Sequence, residues 1–178
     1  MKRKNKEILS IVLAIFLAVS SFLFIIDDST FYSLPKRKLS EDSVEFLMKY
    51  VPEDISDVRL VSEDFTNSSY LLVFETGETY TVVTYNKSLI LPLYTRDSVF
   101  YNIENPNGYK VYQDNHINEI TYTLNVNNDR VKIQKDIKKS NTLIYNVIYA
   151  GVSFLIILLG VYFSVKMKLK PEDSDNDL

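Results

Sequence analysis

Hydrophobic and polar positions divide this chain into two uninterrupted apolar runs and a patterned, mixed stretch between them. Residues 8–26 and 143–165 contain no charged side chain. At a helical rise of 1.5 Å per residue they extend roughly 28 Å and roughly 34 Å, the thickness of a bilayer hydrocarbon core, so each predicts a membrane-spanning helix. The stretch between them changes period. Over 40–51, apolar residues recur at Val44, Leu47, Tyr50 and Val51, with Ser40 placed as an N-cap, Glu41 and Asp42 in the first turn and Pro52 as a stop. This pattern predicts a short amphipathic helix.

From Asp57 onward the pattern alternates, which predicts strands separated by turns. The first is 58–62. Residues 70–74 are apolar on both faces and predict a central buried strand, joined through Thr76-Gly77-Glu78 to a strand at 80–85. A return strand is expected at Leu89-Ile90-Leu91, with Pro92 placing it at an edge. Asn105-Pro106-Asn107-Gly108 is the strongest turn signal, followed by a strand at 109–112. Ile120, Tyr122, Leu124 and Val126 then alternate with polar residues, as do Val131 and Ile133 across an Asn127-Asn128-Asp129 turn, predicting a hairpin with one wet face. The fold expected is α+β: one domain over 40–142, reached by a linker over 27–39, in which a short helix covers a mostly antiparallel, meander-like sheet. A transmembrane helix flanks it on each side.

Charge orients this arrangement. Lys2, Arg3, Lys4 and Lys6 precede the first run, and Lys166, Lys168 and Lys170 follow the second. Although Lys36, Arg37, Lys38, Lys138 and Lys139 lie on the loop side, long loops translocate with little regard for charge, so both termini are expected in the cytoplasm and the central domain outside. The loop-side basic residues then suit anionic lipid head groups. The first run is longer than a signal-peptide core and has no well-placed small-x-small site before Asp27, which predicts an uncleaved anchor. The terminal segment from Pro171 is acidic and polar, which predicts disorder. Ser10, Ala14 and Ala18 form a small-residue stripe on the first helix. On the second, Asn146 and the Gly160/Ser164 pair are candidate contacts, either with the first helix or with another copy in a homo-oligomer. Neither span carries an Asp, Glu, Lys, Arg or His, which argues against proton relays and ion transport.

The whole chain carries 20 basic and 23 acidic residues, but the span 27–142 holds 13 and 18, a net of −5. Such a domain lacks the concentrated basic surface that nucleic acid requires. Absence of cysteine excludes disulfides, thiolate nucleophiles and Cys-containing zinc sites. High Asn, Lys, Ile and Tyr usage suits a low-GC Gram-positive source. His116, the single histidine, lies between strand patterns and reads as a turn residue rather than a ligand with Asp114 and Glu119. No phosphate loop, nucleophile elbow or metalloprotease spacing occurs, and paired acids such as Glu63-Asp64 read as solvated surface, so neither catalytic residues nor a cofactor are expected. Tyr94, Arg96, Phe100 and Tyr101 flank the junction between the two halves of the strand pattern. They are the candidate surface for a partner, although core burial is the commoner fate of such aromatics.

The order of the helix at 41–51 and the strands at 58–62, 70–74 and 80–85 resembles the PepSY domain family, over residues 39–94. The stretch Asn86-Lys87-Ser88-Leu89 departs from the Asp-x-x-Thr-Gly turn of that family, and residues 96–142 lie beyond the resemblance. It implies a noncatalytic extracytoplasmic module that modulates another protein. The function expected is therefore that of an accessory or regulatory subunit binding an envelope or membrane protein. The alternative is a membrane-anchored immunity or resistance protein that neutralises a secreted toxin.

Overall fold

The computed structural model describes residues 3–27, 30–50, 57–127 and 130–168, with side chains described over 8–164 within those spans. The basic residues at either end, Pro52, Glu53-Asp54, the Asn128-Asp129 turn tip and the acidic tail lie outside the described residues or side chains. Helices α1 (Arg3–Ile26) and α3 (Thr142–Lys168) form from the two apolar runs. Within them Ile8–Ile26 and Thr142–Ser164 are long and apolar enough to cross a membrane. The two helices belong to one compact unit, and residues 30–143 form the other.

In the helical unit, Phe16, Leu155 and Ile156 point outward, whereas Ala18 and Ala150 are buried and Phe22 meets Phe154 edge-on at 6.1 Å. Small residues such as these let helix backbones approach closely, and the aromatic pair fills space between the two helices.

The second unit begins with β1 (Leu34–Pro35) and a 3-10 turn at Lys36–Lys38 that runs into α2 (Leu39–Tyr50). The expected cap at Ser40 is corrected by this turn. The Leu39 amide donates to the Lys36 carbonyl, and the helix starts at Leu39, two residues before the expected Glu41, so Ser40 lies inside it. Seven strands follow: β2 (Val58–Phe65), β3 (Ser69–Thr76), β4 (Thr79–Lys87), β5 (Leu93–Ile103), β6 (Tyr109–Asp114), β7 (Asn118–Asn127) and β8 (Arg130–Lys139). All pairings are antiparallel, which with α2 gives the expected α+β meander. The strands are divided between a five-stranded sheet, in the order β1-β5-β4-β3-β2, and a three-stranded sheet, β6-β7-β8.

Two cores explain why β3 is apolar on both faces. Leu71, Val73, Val82 and Ile103 of the larger sheet pack against Val111, Ile120, Tyr122, Leu124 and Val131 of the smaller one. On the opposite face Tyr70, Leu72, Phe74, Val83, Tyr85 and Tyr94 pack against Leu39 and Leu47 of α2. The larger sheet is thus the middle layer, and strict alternation sends odd and even residues of β3 into different cores. Gly77 opens the two-residue β3–β4 turn at φ +66°, the conformation that glycine supplies at the first position of such hairpins.

Leu89-Ile90-Leu91 is not a strand. Residues 88–92 form a bent loop, because the Ser88 hydroxyl accepts the amides of Ile90 (3.1 Å) and Leu91 (2.9 Å) and removes them from any ladder. The returning strand is β5, which begins just after Pro92.

Candidate functional site

The side chains proposed as a partner surface all lie on β5, but its pleat separates them. Tyr85 pairs with Arg96 and Thr84 with Ser98, so Asp97 is the extra residue of a bulge. Tyr94 is buried in the α2-facing core and meets the Tyr70 ring edge-on at 6.2 Å. Arg96 points to that same face. Phe100 packs toward the smaller sheet instead, and Tyr101 is exposed. The structure brings Tyr94 and Arg96 to one face and leaves only Tyr101 freely presented.

Arg96 completes a polar junction between α2 and the sheet. Its guanidinium donates to Asp42 Oδ2 at 2.5 Å and lies 4.0 Å from the centre of the Phe46 ring. The Tyr85 hydroxyl is within 2.7 Å of Asp42 Oδ2, 2.7 Å of Ser43 Oγ and 3.0 Å of the Leu39 carbonyl. Burial is the main cause that pushes the Tyr85 phenol up to about 12. At the contact between sheets, Tyr122 meets Ser69 Oγ at 2.7 Å, and its burial likewise raises it to about 12. Tyr70 is raised by burial and by the hydrogen bond it donates to Glu63 at 2.7 Å. A raised phenol stays protonated and serves as a neutral hydrogen-bonding post, so these tyrosines act as fixings of the fold.

His116 sits in the β6–β7 turn and is fully buried. The turn is set by Asn115, whose side-chain oxygen accepts the amides of Ile117 (3.0 Å) and Asn118 (2.9 Å). Among the described residues, no three His, Cys, Asp or Glu side chains stand together as a metal site would need.

Of the candidate helix contacts, Ala18 is buried, Ala14 and Asn146 are half-buried, and Ser10, Gly160 and Ser164 are exposed. Ala150, absent from the small-residue patterns considered in the sequence, is fully buried. Its signal was an Ala-Gly pair followed by Ser153 and Phe154 on one helical side.

The connections of the domain are also placed by this geometry. β1 pairs with the first two residues of β5, and the Ser33 amide donates to the Tyr94 carbonyl at 3.2 Å. At the other connection, β8 ends at Lys139 and the Ser140 amide donates to Ile117 in the β6–β7 turn at 2.9 Å. That turn lies at the same end as the start of β5, because Asn118 reaches Ser68 (3.1 Å) and Gln113 reaches Asn86 (2.8 Å) across the sheets. The chain enters and leaves the domain at one end. Compared with protein-family models, curated proteins and solved structures, the chain matches none.

Proposed function

We propose that this chain is a two-span membrane protein, with both termini cytoplasmic and the domain over 40–142 extracytoplasmic, and that the domain works by binding another envelope or membrane protein as an accessory or regulatory subunit. The observation that carries this reading is the common end of the domain at which both apolar helices connect. A domain hung from two adjacent spans needs that geometry, whereas a soluble protein has no reason to follow each end of its domain with an apolar helix. Binding is favoured over catalysis because the most perturbed side chains, Tyr70, Tyr85 and Tyr122, are each tied into hydrogen bonds that hold the core. Under this reading α2 with β2–β4 serves as the noncatalytic PepSY-like module.

The partner is sought through exposed aromatics. Tyr101 and Tyr112 present rings to solvent on surfaces otherwise polar, the composition that transient interfaces favour. Photo-crosslinking residues placed at 101 and 112 of the full-length protein in its native membrane should trap one recurrent membrane or envelope protein, and one at Glu78 should not. Absence of any recurrent product from both positions would contradict the reading. Loss of resistance to one secreted toxin on deletion, with that toxin as the crosslinked species, would replace it by the immunity role.

A further inference from the structure

The loop between β4 and β5 is apolar where loops are ordinarily polar. Ser88-Leu89-Ile90-Leu91-Pro92-Leu93 has no charged residue, and Ile90 and Leu91 are 45% and 50% exposed. Neither core uses these two side chains. The loop is not loose: besides the two amides held by the Ser88 hydroxyl, the Ser88 amide donates to the Leu93 carbonyl at 2.9 Å. The amides of Ile90 and Leu91 are satisfied within the loop while their side chains are exposed, so the tip is apolar and its N–H groups at these two positions are paired.

Its position states what the tip meets. The loop joins the last residue of β4 to the first residue of β5, at the end of the domain where β1 enters and β8 leaves. Basic residues rim that end: Lys36, Arg37 and Lys38 beside β1, Lys87 at the end of β4, and Lys138 and Lys139 at the end of β8. Among the described acids near that end, Glu63 is engaged by Tyr70, Asp64 by Lys135 and Asp97 by Asn86, while Glu41 stands at the start of α2 and Asp114, Glu119 and Asp136 line one cleft with Lys138 on the smaller sheet. Exposed Phe65, at the end of β2, lies beneath the Lys36 ammonium, 4.5 Å from its ring centre. Apolar tips within a basic rim match a lipid surface, where the apolar groups enter the acyl boundary and the cations meet anionic head groups.

We propose that Ile90 and Leu91 dip into the outer leaflet of the membrane that anchors the chain, with Lys36, Arg37, Lys38, Lys87, Lys138 and Lys139 binding anionic head groups around them. The inference rests on the two-span reading and adds to it that the domain docks on the lipid surface rather than swinging clear of it. Because the chain has no native cysteine, single cysteines report position directly. The full-length protein is reconstituted into phosphatidylcholine vesicles containing phosphatidylglycerol, with an environment-sensitive fluorophore at Ile90→Cys, Pro92→Cys, Glu78→Cys or Leu155→Cys. Emission at 90 and 92 should shift to shorter wavelength and be quenched by lipid-borne nitroxide at least about twofold more than at 78, on the opposite end of the domain. Ile90→Ser with Leu91→Ser should abolish the shift at 92. Vesicles of phosphatidylcholine alone should weaken it. If 155 reports lipid but 90 and 92 behave like 78, docking is overturned while the spans stand. If 155 also reports water, the two-span reading fails and docking fails with it. A shift of equal size in neutral vesicles would remove the head-group contacts from the proposal.

Discussion

Tyr85 shows how one hydroxyl can join a helix to a sheet. Its oxygen is within hydrogen-bond reach of Asp42, Ser43 and the Leu39 carbonyl, all on α2, while its ring fills the core below them. Tyr85→Phe keeps the ring and strands these polar partners, so the domain should lose about 1–2 kcal/mol of stability in denaturant titration of the purified protein. Alkali tests the same chemistry. Tyr85 and Tyr122 rise from an ordinary 10.0 to about 12 on folding. Between those values the unfolded chain releases protons that the folded one retains, so the stabilising contribution is complete below pH 10 and is lost as pH rises through about 12. Spectrophotometric titration of tyrosinate should show a late-ionising class that appears together with unfolding. A titration in which every tyrosine ionises at its ordinary value with the fold intact would contradict this assignment.

At the scale of elements, the contrast between β3 and the 88–92 loop separates residues that hold the domain from residues that do not. Leu72 is buried against α2, and Leu72→Ala should cost about 2–5 kcal/mol, whereas Ile90→Ser in detergent should change stability by less than about 0.5 kcal/mol. Gly77→Ala should cost about 1 kcal/mol, because a Cβ at φ +66° is strained even though no neighbour obstructs it. The helix pair has its own test. Cysteines at Phe22 and Phe154 should be joined within one chain by a short bis-maleimide, while Phe22 with the outward-facing Leu155 should not. Much of this is legible in the sequence: both long apolar helices, the short helix, the doubly apolar β3, and the β7–β8 alternation. What escaped has physical causes. Leu89-Ile90-Leu91 carries strand propensity, but a serine hydroxyl captures its amides. β5 is hard to read because bulges at Asp97 and near Asn102 break its two-residue period, and the bulge at Asp97 turns Phe100 to the face opposite Tyr94 and Arg96. The division into two sheets depends on long-range packing that local alternation does not encode. The stripe of small residues is visible on α1, whereas the buried Ala150 of α3 is not, since an alanine in an apolar helix has no distinguishing pattern.

For the whole molecule, the account depends on two helices entering one end of one domain and on that domain lying outside the membrane. The first rests on the chain entering at Ser33–Pro35 and leaving at Ser140 at one end of the sheets. The second is part of the proposal, supported by the basic residues that flank the two apolar runs on their outer sides, which the positive-inside tendency would hold in the cytoplasm. A chain without native cysteine allows the sidedness to be read at single positions. The decisive measurement is labelling of intact cells by a membrane-impermeant maleimide, with the cell wall or outer membrane first made permeable, on full-length variants carrying Glu78→Cys or a cysteine appended after Leu178. Glu78→Cys should be labelled in intact cells, and the appended cysteine only after the membrane itself is opened. Labelling of the appended cysteine in intact cells, with Glu78→Cys protected, would place the domain in the cytosol and contradict the account.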